Sequence, residues 1–226
     1  MSADLFARLK EAAHPHWQAY VEHDFVRRLA AGRLPNAAFR FYLAQDYLFL
    51  IQFARAQALA VYKGRTLAEM RASKSALAAI LDVELGLHVR LAAEWGLTPA
   101  DLESAPEHAA TVAYTRFVLD AGMAGDLLDL RVALAPCVLG YAEIAARIAL
   151  EVRARPGHPQ GAWVEDYAGE AYQAVAEAAR AELGRLAEGA LSPPRLRQLE
   201  RLFAKACDLE AGFWQMALDA AAKDEP

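Results

Sequence analysis

Apolar residues recur three and four residues apart along almost the whole of this chain, which is the spacing of amphipathic helices. Alanine, leucine, glutamate and arginine dominate, and these residues favour helix. Runs of alternating valine, isoleucine and threonine, which are typical of strands, do not occur. The pattern predicts a first helical region that closes at Gly32–Pro35, helices over about 36–62, 66–95, 107–122, 125–154 and 162–188, a short helix from Thr98, and a last helix to about 222.

Short polar residues and prolines mark where several of these helices begin. Asn36 is expected to be an N-cap, Thr98 precedes a first-turn proline, and Ser192 precedes two prolines. The connections are short, which favours antiparallel packing of neighbouring helices. No shift in composition and no internal repeat marks a domain boundary. The sequence therefore predicts an all-α bundle of about seven or eight helices that forms a single domain over 1–226.

The composition is that of a globular protein, since 56% of the 226 residues are hydrophobic and 23% are charged. The formal net charge of −5 argues against a nucleic-acid partner, because such proteins usually carry a basic face. Two cysteines, Cys137 and Cys207, exclude a disulfide framework and suit a reducing compartment. The first residues do not resemble a signal peptide, and no run reaches the ~18 uncharged apolar residues that span a bilayer. We therefore expect a cytoplasmic protein with no membrane partner.

One predicted helix carries an acid on its apolar face. Asp46 shares this face with Tyr42, Phe49, Leu50 and Phe53. An unpaired buried carboxylate costs several kcal/mol or more, so it needs a partner or a raised pKa. Asp46 is therefore either a structural carboxylate bonded across the bundle or a contact to a ligand.

A proline interrupts the helical pattern of 125–154. Pro136 is expected to kink this helix and to leave a backbone carbonyl without its usual partner. Cys137 follows at once, and Tyr141 lies on the same face. The cysteine is either a small core residue or a nucleophile in a pocket.

The last helix places Glu210 beside Phe213 and Trp214. A carboxyl group in apolar surroundings has a raised pKa, which suits a general acid or base near neutral pH. Cys207 lies three residues earlier, so the pattern alone does not choose between the two thiols.

Glu84 and His88 are four residues apart on one helix, and Glu143 lies on another. This is how a carboxylate-bridged dimetal site begins, but the remaining ligands of such a site are missing. A pair of this kind is more often a hydrogen bond on a surface or between helices. The sequence therefore predicts no metal, and the metal site remains an alternative.

Six segments of this sequence, in order, resemble the TenA/thiaminase II family, an all-α fold of the haem-oxygenase-like type. The resemblance covers about residues 15 to 217, and its signposts fall in the family's order with compatible spacing. They are HDFVRRLAAGRLPNAAFRFYLAQDYLFL, the pair Glu84 and His88, Tyr114, LAPCVLGYAEIA, PGHPQGAWVEDYAGE, and Glu210 with Phe213-Trp214.

The resemblance implies roles for individual residues. Asp46 would bind the amino and ring-nitrogen edge of an aminopyrimidine, Cys137 would be the nucleophile, and Glu210 the acid/base, with Tyr167 beside it. The cysteine places the chain in the cysteine-containing branch of the family. The positions that match the lining of the pocket are Tyr114, Tyr141 and Phe213.

Phe49 departs from the family pattern, in which a tyrosine is expected three residues after the aspartate. Phenylalanine keeps the ring but loses a hydroxyl, so one polar contact to the thiol or the substrate is missing. The substitution is expected to affect the rate more than the chemistry.

The implied reaction is hydrolysis of 4-amino-5-aminomethyl-2-methylpyrimidine, and of thiamine, to the hydroxymethylpyrimidine of thiamine salvage. The resemblance implies no cofactor, a small-molecule pyrimidine as partner, and a homo-oligomer, a tetramer before a dimer. Two alternatives remain: a metal-dependent oxidase on the same fold, built on Glu84, His88 and Glu143, and a non-catalytic pyrimidine-binding or regulatory protein.

Overall fold

The computed structural model describes residues 4–189 and 191–224, and every regular element in these ranges is helical. The α-helices are α1 (Leu5–Ala12), α2 (His14–Val21), α3 (Asp24–Ala30), α4 (Asn36–Lys63), α5 (Leu67–Ala79), α6 (Leu85–Glu94), α7 (Pro99–Ser104), α8 (Ala109–Ala124), α9 (Leu127–Ala135), α10 (Tyr141–Arg153), α11 (Gly161–Ala168), α12 (Glu170–Leu186) and α13 (Pro193–Asp224). Two π-helical turns, π1 (Ile80–Glu84) and π2 (Pro136–Gly140), join α5 to α6 and α9 to α10. The all-α class is therefore confirmed.

The predicted number of seven or eight helices is too small, because four predicted regions contain breaks. The π-helical turn π1 divides the region 66–95, and π2 divides the region 125–154. The first region is three helices: Pro15 lies in the first turn of α2, and the His23 ring caps α3 by accepting from the Phe25 amide at 3.2 Å. A proline offers no N–H to the preceding turn, so α1 cannot continue through it. The region 162–188 is divided by the extended backbone at Gly169.

Most of the predicted helix starts agree with the structure. Thr98 and Asp101 form a capping box at α7, and the Ser192 hydroxyl accepts from the amide of Arg195 at the start of α13. The prediction that Asn36 is an N-cap is wrong. Asn36 is the first residue of α4, and the cap position is Pro35, which makes no side-chain cap bond.

The break expected at Pro136 takes the form of the π-helical turn π2, so α9, π2 and α10 run on as one stretch from Leu127 to Arg153. By length and composition this stretch could cross a membrane, with a mean hydropathy of 1.5 over its best window. Charged residues such as Arg131 interrupt it, and 78% of that window is buried inside the protein, as is usual for a core helix.

The chain divides into two compact units. The Cys137 unit comprises Met1–Leu34 and Arg131–Trp214, and the Asp46 unit comprises Pro35–Leu130 and Gln215–Pro226. The Cys137 unit has an aromatic core in which Phe25 stacks on Trp214 at 4.6 Å. The Asp46 unit is centred on α4, where Phe39 meets Trp95 at 4.7 Å. One domain over 1–226 stays a prediction.

Candidate active site

In the Asp46 unit, the carboxylate of Asp46 is held from one side. Asp46 is 5% exposed, and the Tyr42 hydroxyl donates to its Oδ2 at 2.9 Å. Nδ1 of His88 lies 3.6 Å from the same oxygen. Among the described residues no side chain or amide donates to Oδ1 of Asp46. One oxygen of a buried carboxylate is therefore held by the protein, and the other remains able to accept a hydrogen bond.

Burial and the neighbouring groups shift the pKa of Asp46 in opposite directions. Burial raises the pKa of Asp46, while the charge of His88 and the hydrogen bond from Tyr42 lower it. Glu84 lies in π1, and burial together with the charge of Asp46 raises the pKa of Glu84 to about 7. Two carboxyl groups with raised pKa values therefore lie close together at the Asp46 side chain.

Aromatic rings lie along the same helix face. Phe49, 7% exposed, packs against Tyr114 with ring centroids 5.1 Å apart, and against Phe53 at 6.1 Å. The phenylalanine that replaces the expected tyrosine is therefore in ring contact with a predicted lining residue. A flat heterocycle suits such surroundings.

In the Cys137 unit, Cys137 lies in π2, where side chains satisfy the backbone carbonyls of the widened turn. The Cys137 thiol donates a hydrogen bond to the Leu134 carbonyl at 3.0 Å. The Tyr20 hydroxyl donates to the Pro136 carbonyl at 3.2 Å, and the Tyr172 hydroxyl donates to the Cys137 carbonyl at 3.3 Å. Cys137 is 8% exposed. π-Turns are frequent at functional sites, and this one fixes the position of the predicted nucleophile.

The second thiol has a different environment. Cys207 lies in the regular helix α13 and is fully buried. Burial, followed by the charge of Glu210, raises the pKa of Cys207 far above its usual range. A thiol that resists ionisation is a poor nucleophile, so the structure favours Cys137 where the sequence leaves the choice open.

The predicted acid/base residue lies in the same unit. Glu210 is 1% exposed on α13. Its charge and that of Cys137 add to the burial that raises the pKa of the Tyr20 hydroxyl well above its usual value. Tyr20 is therefore close to both the predicted nucleophile and the predicted acid.

The other predicted residues of this unit form part of its aromatic core. Tyr141 lies 5.1 Å from Tyr167 and 5.3 Å from Trp214, measured between ring centroids, and Phe213 is 1% exposed. The Cys137 unit thus contains Cys137, Tyr141, Tyr167, Glu210 and Phe213, and the Asp46 unit contains Asp46, Phe49 and Tyr114.

Sequence reasoning missed the polar partners of these residues. Tyr20 and Tyr172 bond to π2 but lie far from it in sequence, so no spacing reveals them. His88 was expected to act with Glu84, and its contact to Asp46 depends on how α6 packs on α4. Tyr42 could have been found, since it lies four residues before Asp46 on the same face.

The residues of the metal alternative have other partners. The Glu143 carboxylate pairs with Lys10 at 2.5 Å and accepts from the Trp17 indole at 3.0 Å. His88 is bound to the Leu43 carbonyl through Nε2 at 2.7 Å. Within the described ranges no group of three His, Cys, Asp or Glu residues is arranged to hold a metal ion. The geometry gives no support to the oxidase alternative.

Several known proteins are similar to this chain. One is the aminopyrimidine aminohydrolase of Halalkalibacterium halodurans, 37% identical over 215 residues that cover 93% of this chain and 94% of that protein. Another is the hydroxymethylpyrimidine/phosphomethylpyrimidine kinase THI21 of Saccharomyces cerevisiae, 34% identical over 210 residues. That match covers 91% of this chain and 37% of the yeast protein.

Solved structures agree with the fold. A TenA family transcription regulator from Silicibacter sp. TM1040 is 43% identical with a TM-score of 0.90, over 96% of this chain and 97% of that one. A domain with a heme oxygenase-like fold from Shewanella denitrificans OS217 has a TM-score of 0.76 at 13% identity, over 96% and 93% of the two chains. The expected haem-oxygenase-like fold is therefore confirmed.

The family model described as the TENA/THI-4/PQQC family matches residues 10–220. This match includes every candidate site residue of both units. The chain therefore belongs to the TENA/THI-4/PQQC family.

Proposed function

We propose that this protein is an aminopyrimidine aminohydrolase that converts 4-amino-5-aminomethyl-2-methylpyrimidine to the corresponding hydroxymethylpyrimidine, with hydrolysis of thiamine as a secondary activity. The observation that carries the proposal is Asp46, a buried carboxylate with one oxygen held by Tyr42 and the other able to accept. The class of enzyme, a hydrolase, follows from relatives such as the Halalkalibacterium aminohydrolase.

Asp46 would recognise the substrate. A carboxylate oxygen accepts a hydrogen bond from the exocyclic amino group, and the adjacent ring nitrogen completes the edge. Phe49 and Tyr114 would pack on the flat ring. These contacts select for an aminopyrimidine over other amines.

Cys137 would add to the pyrimidine ring. The sulfur–carbon bond forms as the thiol proton passes to a ring nitrogen, and the electrons of the ring then expel the amine from the exocyclic methylene. Water adds to the methylene carbon, and the thiol leaves with its proton as the ring recovers its aromaticity. In the net reaction, the amine and water are converted to the alcohol and ammonia.

Glu210 would move the protons of these steps. The leaving amine needs a proton and the attacking water must lose one, so a single carboxyl group can give the first and take the second. Glu210 is 1% exposed, so these proton transfers would take place away from bulk water.

Steady-state hydrolysis of the aminopyrimidine and of thiamine tests the proposal, with Cys137→Ala and the matched control Cys207→Ser. We expect preference for the aminopyrimidine, background rates in Cys137→Ala and near-normal rates in Cys207→Ser. Loss of activity in Cys207→Ser alone would refute the assignment of the nucleophile. Tight binding of the pyrimidine without turnover would favour the non-catalytic alternative.

The product places the reaction before a phosphorylation. Hydrolysis leaves a primary alcohol, which a kinase can phosphorylate. The similarity to part of a yeast hydroxymethylpyrimidine/phosphomethylpyrimidine kinase supports this order. The matching region is 37% of that longer chain, so a region similar to this protein is part of the same chain as a kinase. The cytoplasm is the proposed location, and two thiols without a disulfide suit it.

The proposed assembly is a homotetramer. The helical stretch α5–π1–α6 exposes large apolar side chains, and Ser73 is the only buried residue of α5. Such a surface is rare on a monomer and typical of an interface. The exposed residues are Leu67, Leu81, Val83 and Leu87, from 42% to 66% exposed. Light scattering after size-exclusion chromatography should give four times 24.7 kDa, and Leu81→Ser with Val83→Ser should lower this mass.

A further inference from the structure

The imidazole of His88 bridges two points of α4. Its Nε2 lies 2.7 Å from the Leu43 carbonyl oxygen, and its Nδ1 lies 3.6 Å from Oδ2 of Asp46. His88 is 7% exposed and Asp46 is 5% exposed. Both ring nitrogens therefore face fixed oxygen atoms away from bulk water.

These two contacts determine where the protons lie. A carbonyl oxygen only accepts, so Nε2 of His88 must carry a hydrogen and donate it to Leu43. In a neutral ring Nδ1 would then be an acceptor that faces a carboxylate oxygen, which is repulsive. One more proton on the pair of His88 and Asp46 than in a neutral ring and a carboxylate removes this repulsion.

The second partner of Asp46 favours one of the two positions for this proton. The Tyr42 hydroxyl donates to the same Oδ2, and an ionised oxygen accepts such a bond more strongly than a protonated one. This hydrogen bond favours the position of the proton on Nδ1, and a separation of 3.6 Å between Nδ1 and Oδ2 fits an ion pair.

We propose that His88 is a positioning residue for the proposed reaction: as an imidazolium anchored on the Leu43 carbonyl, it keeps Asp46 ionised and leaves Oδ1 to receive the amino edge of the substrate. The inference rests on the proposed function for the identity of that ligand. The two contacts of His88 are present in the protein without substrate.

The consequence for binding is specific. An ionised Asp46 accepts from the amino group, and it favours a pyrimidine whose adjacent ring nitrogen is protonated. A protonated ring is also the better electrophile for a thiol. His88 would thus act through Asp46 on the affinity and the pH dependence of binding, without touching the substrate.

Three further titratable groups surround the pair in the described part of the Asp46 unit. Tyr42 and Tyr47 lie on α4, and the Tyr47 ring is 6.4 Å from the His88 ring. Glu84 lies in π1, four residues before His88, and interacts electrostatically with Asp46. A negative charge on Glu84 would also favour the imidazolium.

Nitrogen-15 NMR of histidine-labelled protein without substrate tests the pair directly. The His88 signals are identified by their loss in His88→Gln. At pH 7.5 we expect both ring nitrogens of His88 to be protonated, and we expect the neutral Nε2–H form in Asp46→Asn. A neutral ring in the unmodified protein would place the proton on Asp46 and overturn the inference, whether or not the enzyme hydrolyses pyrimidines.

Kinetics give the second readout. In His88→Gln the loss of the positive charge should raise KM on the order of 10-fold at pH 7, with kcat changed by less than about 3-fold. The acid limb of kcat/KM should move up by about 1 pH unit or more, because Asp46 then protonates more readily. The matched control is His16→Gln, which removes the exposed pair of His16 with Asp208 at 2.6 Å and should change neither quantity.

The outcomes separate the two proposals. Turnover by the unmodified protein with an unchanged KM and pH profile in His88→Gln would overturn the role of His88 and leave the proposed function intact. Absence of turnover in the unmodified protein would refute the proposed function, and the NMR result would still decide the state of the pair. Circular dichroism checks that His88→Gln is folded.

Discussion

The two π-helical turns of this protein share a backbone conformation but differ in burial and in the partners of their backbone carbonyls. Four of the five residues of π2 are buried, whereas Ile80 is the only buried residue of π1. In π2 tyrosine hydroxyls from α2 and α12 bond to the carbonyls of the widened turn. π1 exposes Leu81 and Val83. Water can satisfy an exposed turn, so only the buried turn requires dedicated side-chain donors.

This difference explains how each turn bears on its candidate residue. In π2 two tyrosine hydroxyls and the thiol itself bond to the backbone carbonyls around Cys137. In π1 the candidate residue Glu84 is constrained by burial of its own carboxyl and by the charge of Asp46. The bonds to π2 hold the backbone at Cys137, the proposed nucleophile, whereas at π1 burial and the charge of Asp46 raise the pKa of Glu84.

The largest expected effect concerns the two thiols of the Cys137 unit. At pH 8 we expect a small alkylating reagent to label Cys137 on the order of 100-fold faster than Cys207, because burial and Glu210 keep the Cys207 thiol protonated. Mass spectrometry of digested protein over time measures both rates. Equal labelling would show that position in π2 does not distinguish the thiols.

Substitution of a glycine at each turn should have opposite effects. A Cβ at Gly140 in π2 would lie 2.6 Å from the Tyr20 hydroxyl, so Gly140→Ala should destabilise the fold by up to about 3 kcal/mol. At Gly86, just after π1, the nearest atom is the end of Arg90 at 3.6 Å. There Gly86→Ala should stabilise the helix by about 0.5–1 kcal/mol. Urea unfolding measures both changes, and equal losses would contradict the difference between the turns.

Removal of one hydroxyl tests the bonds to π2. Tyr20→Phe leaves the buried Pro136 carbonyl without its donor and should lower the free energy of unfolding by about 1–2 kcal/mol. Tyr62→Phe is the control, because Tyr62 is 83% exposed and its change should stay within about 0.5 kcal/mol. Indistinguishable values would show that the turn does not need the hydroxyl.

The smallest expected effect is a pH-dependent change in the free energy of unfolding, which arises from Glu84 in π1. The folded pKa of Glu84, about 7, lies above its ordinary value, so the folded protein holds this proton more tightly than the unfolded chain. Stability from this group is complete below about pH 4.5 and is lost as the pH rises to about 7. Since Glu84 is partly exposed, Glu84→Gln should gain only about 1 kcal/mol at pH 8 relative to pH 5.

Glu94→Gln is the control for this measurement, because Glu94 lies on the adjoining helix α6 and is exposed. Its stability should follow the pH dependence of the unmodified protein. If Glu84→Gln also follows that dependence, the charge of Glu84 is not set by burial and Asp46.

Much of the fold could be predicted because its signals are local. The periodicity gave the long helix α4 and the stretch from Leu127 to Arg153, and Thr98 and Ser192 marked helix starts. The predictions failed where a short-range signal was overlooked or ambiguous. Pro15 divides the first helical region, and Asn36 lies inside α4 although it is a good cap residue.

Some features of the candidate site could also be predicted from the sequence, and others required the structure. Apolar faces pointed to Asp46, Cys137 and Glu210 and to the aromatic residues beside them, and the family resemblance added Tyr114 and Tyr167. The preference for Cys137 over Cys207 required burial, which a helical pattern does not specify. The proposed charge state of His88 and Asp46 required two distances between α4 and α6.

The sequence by itself determined the helical class, most helix boundaries, the family, and which polar residues lie on apolar faces. These properties depend on residues within a few positions of one another, so the pattern records them. Only the tertiary structure decided which carboxylate oxygen of Asp46 is held, how the carbonyls of π2 are satisfied, and that burial raises the pKa of the Cys207 thiol. Those properties depend on groups that are distant in the chain, such as Tyr20 and Pro136, and on the water that packing removes from them.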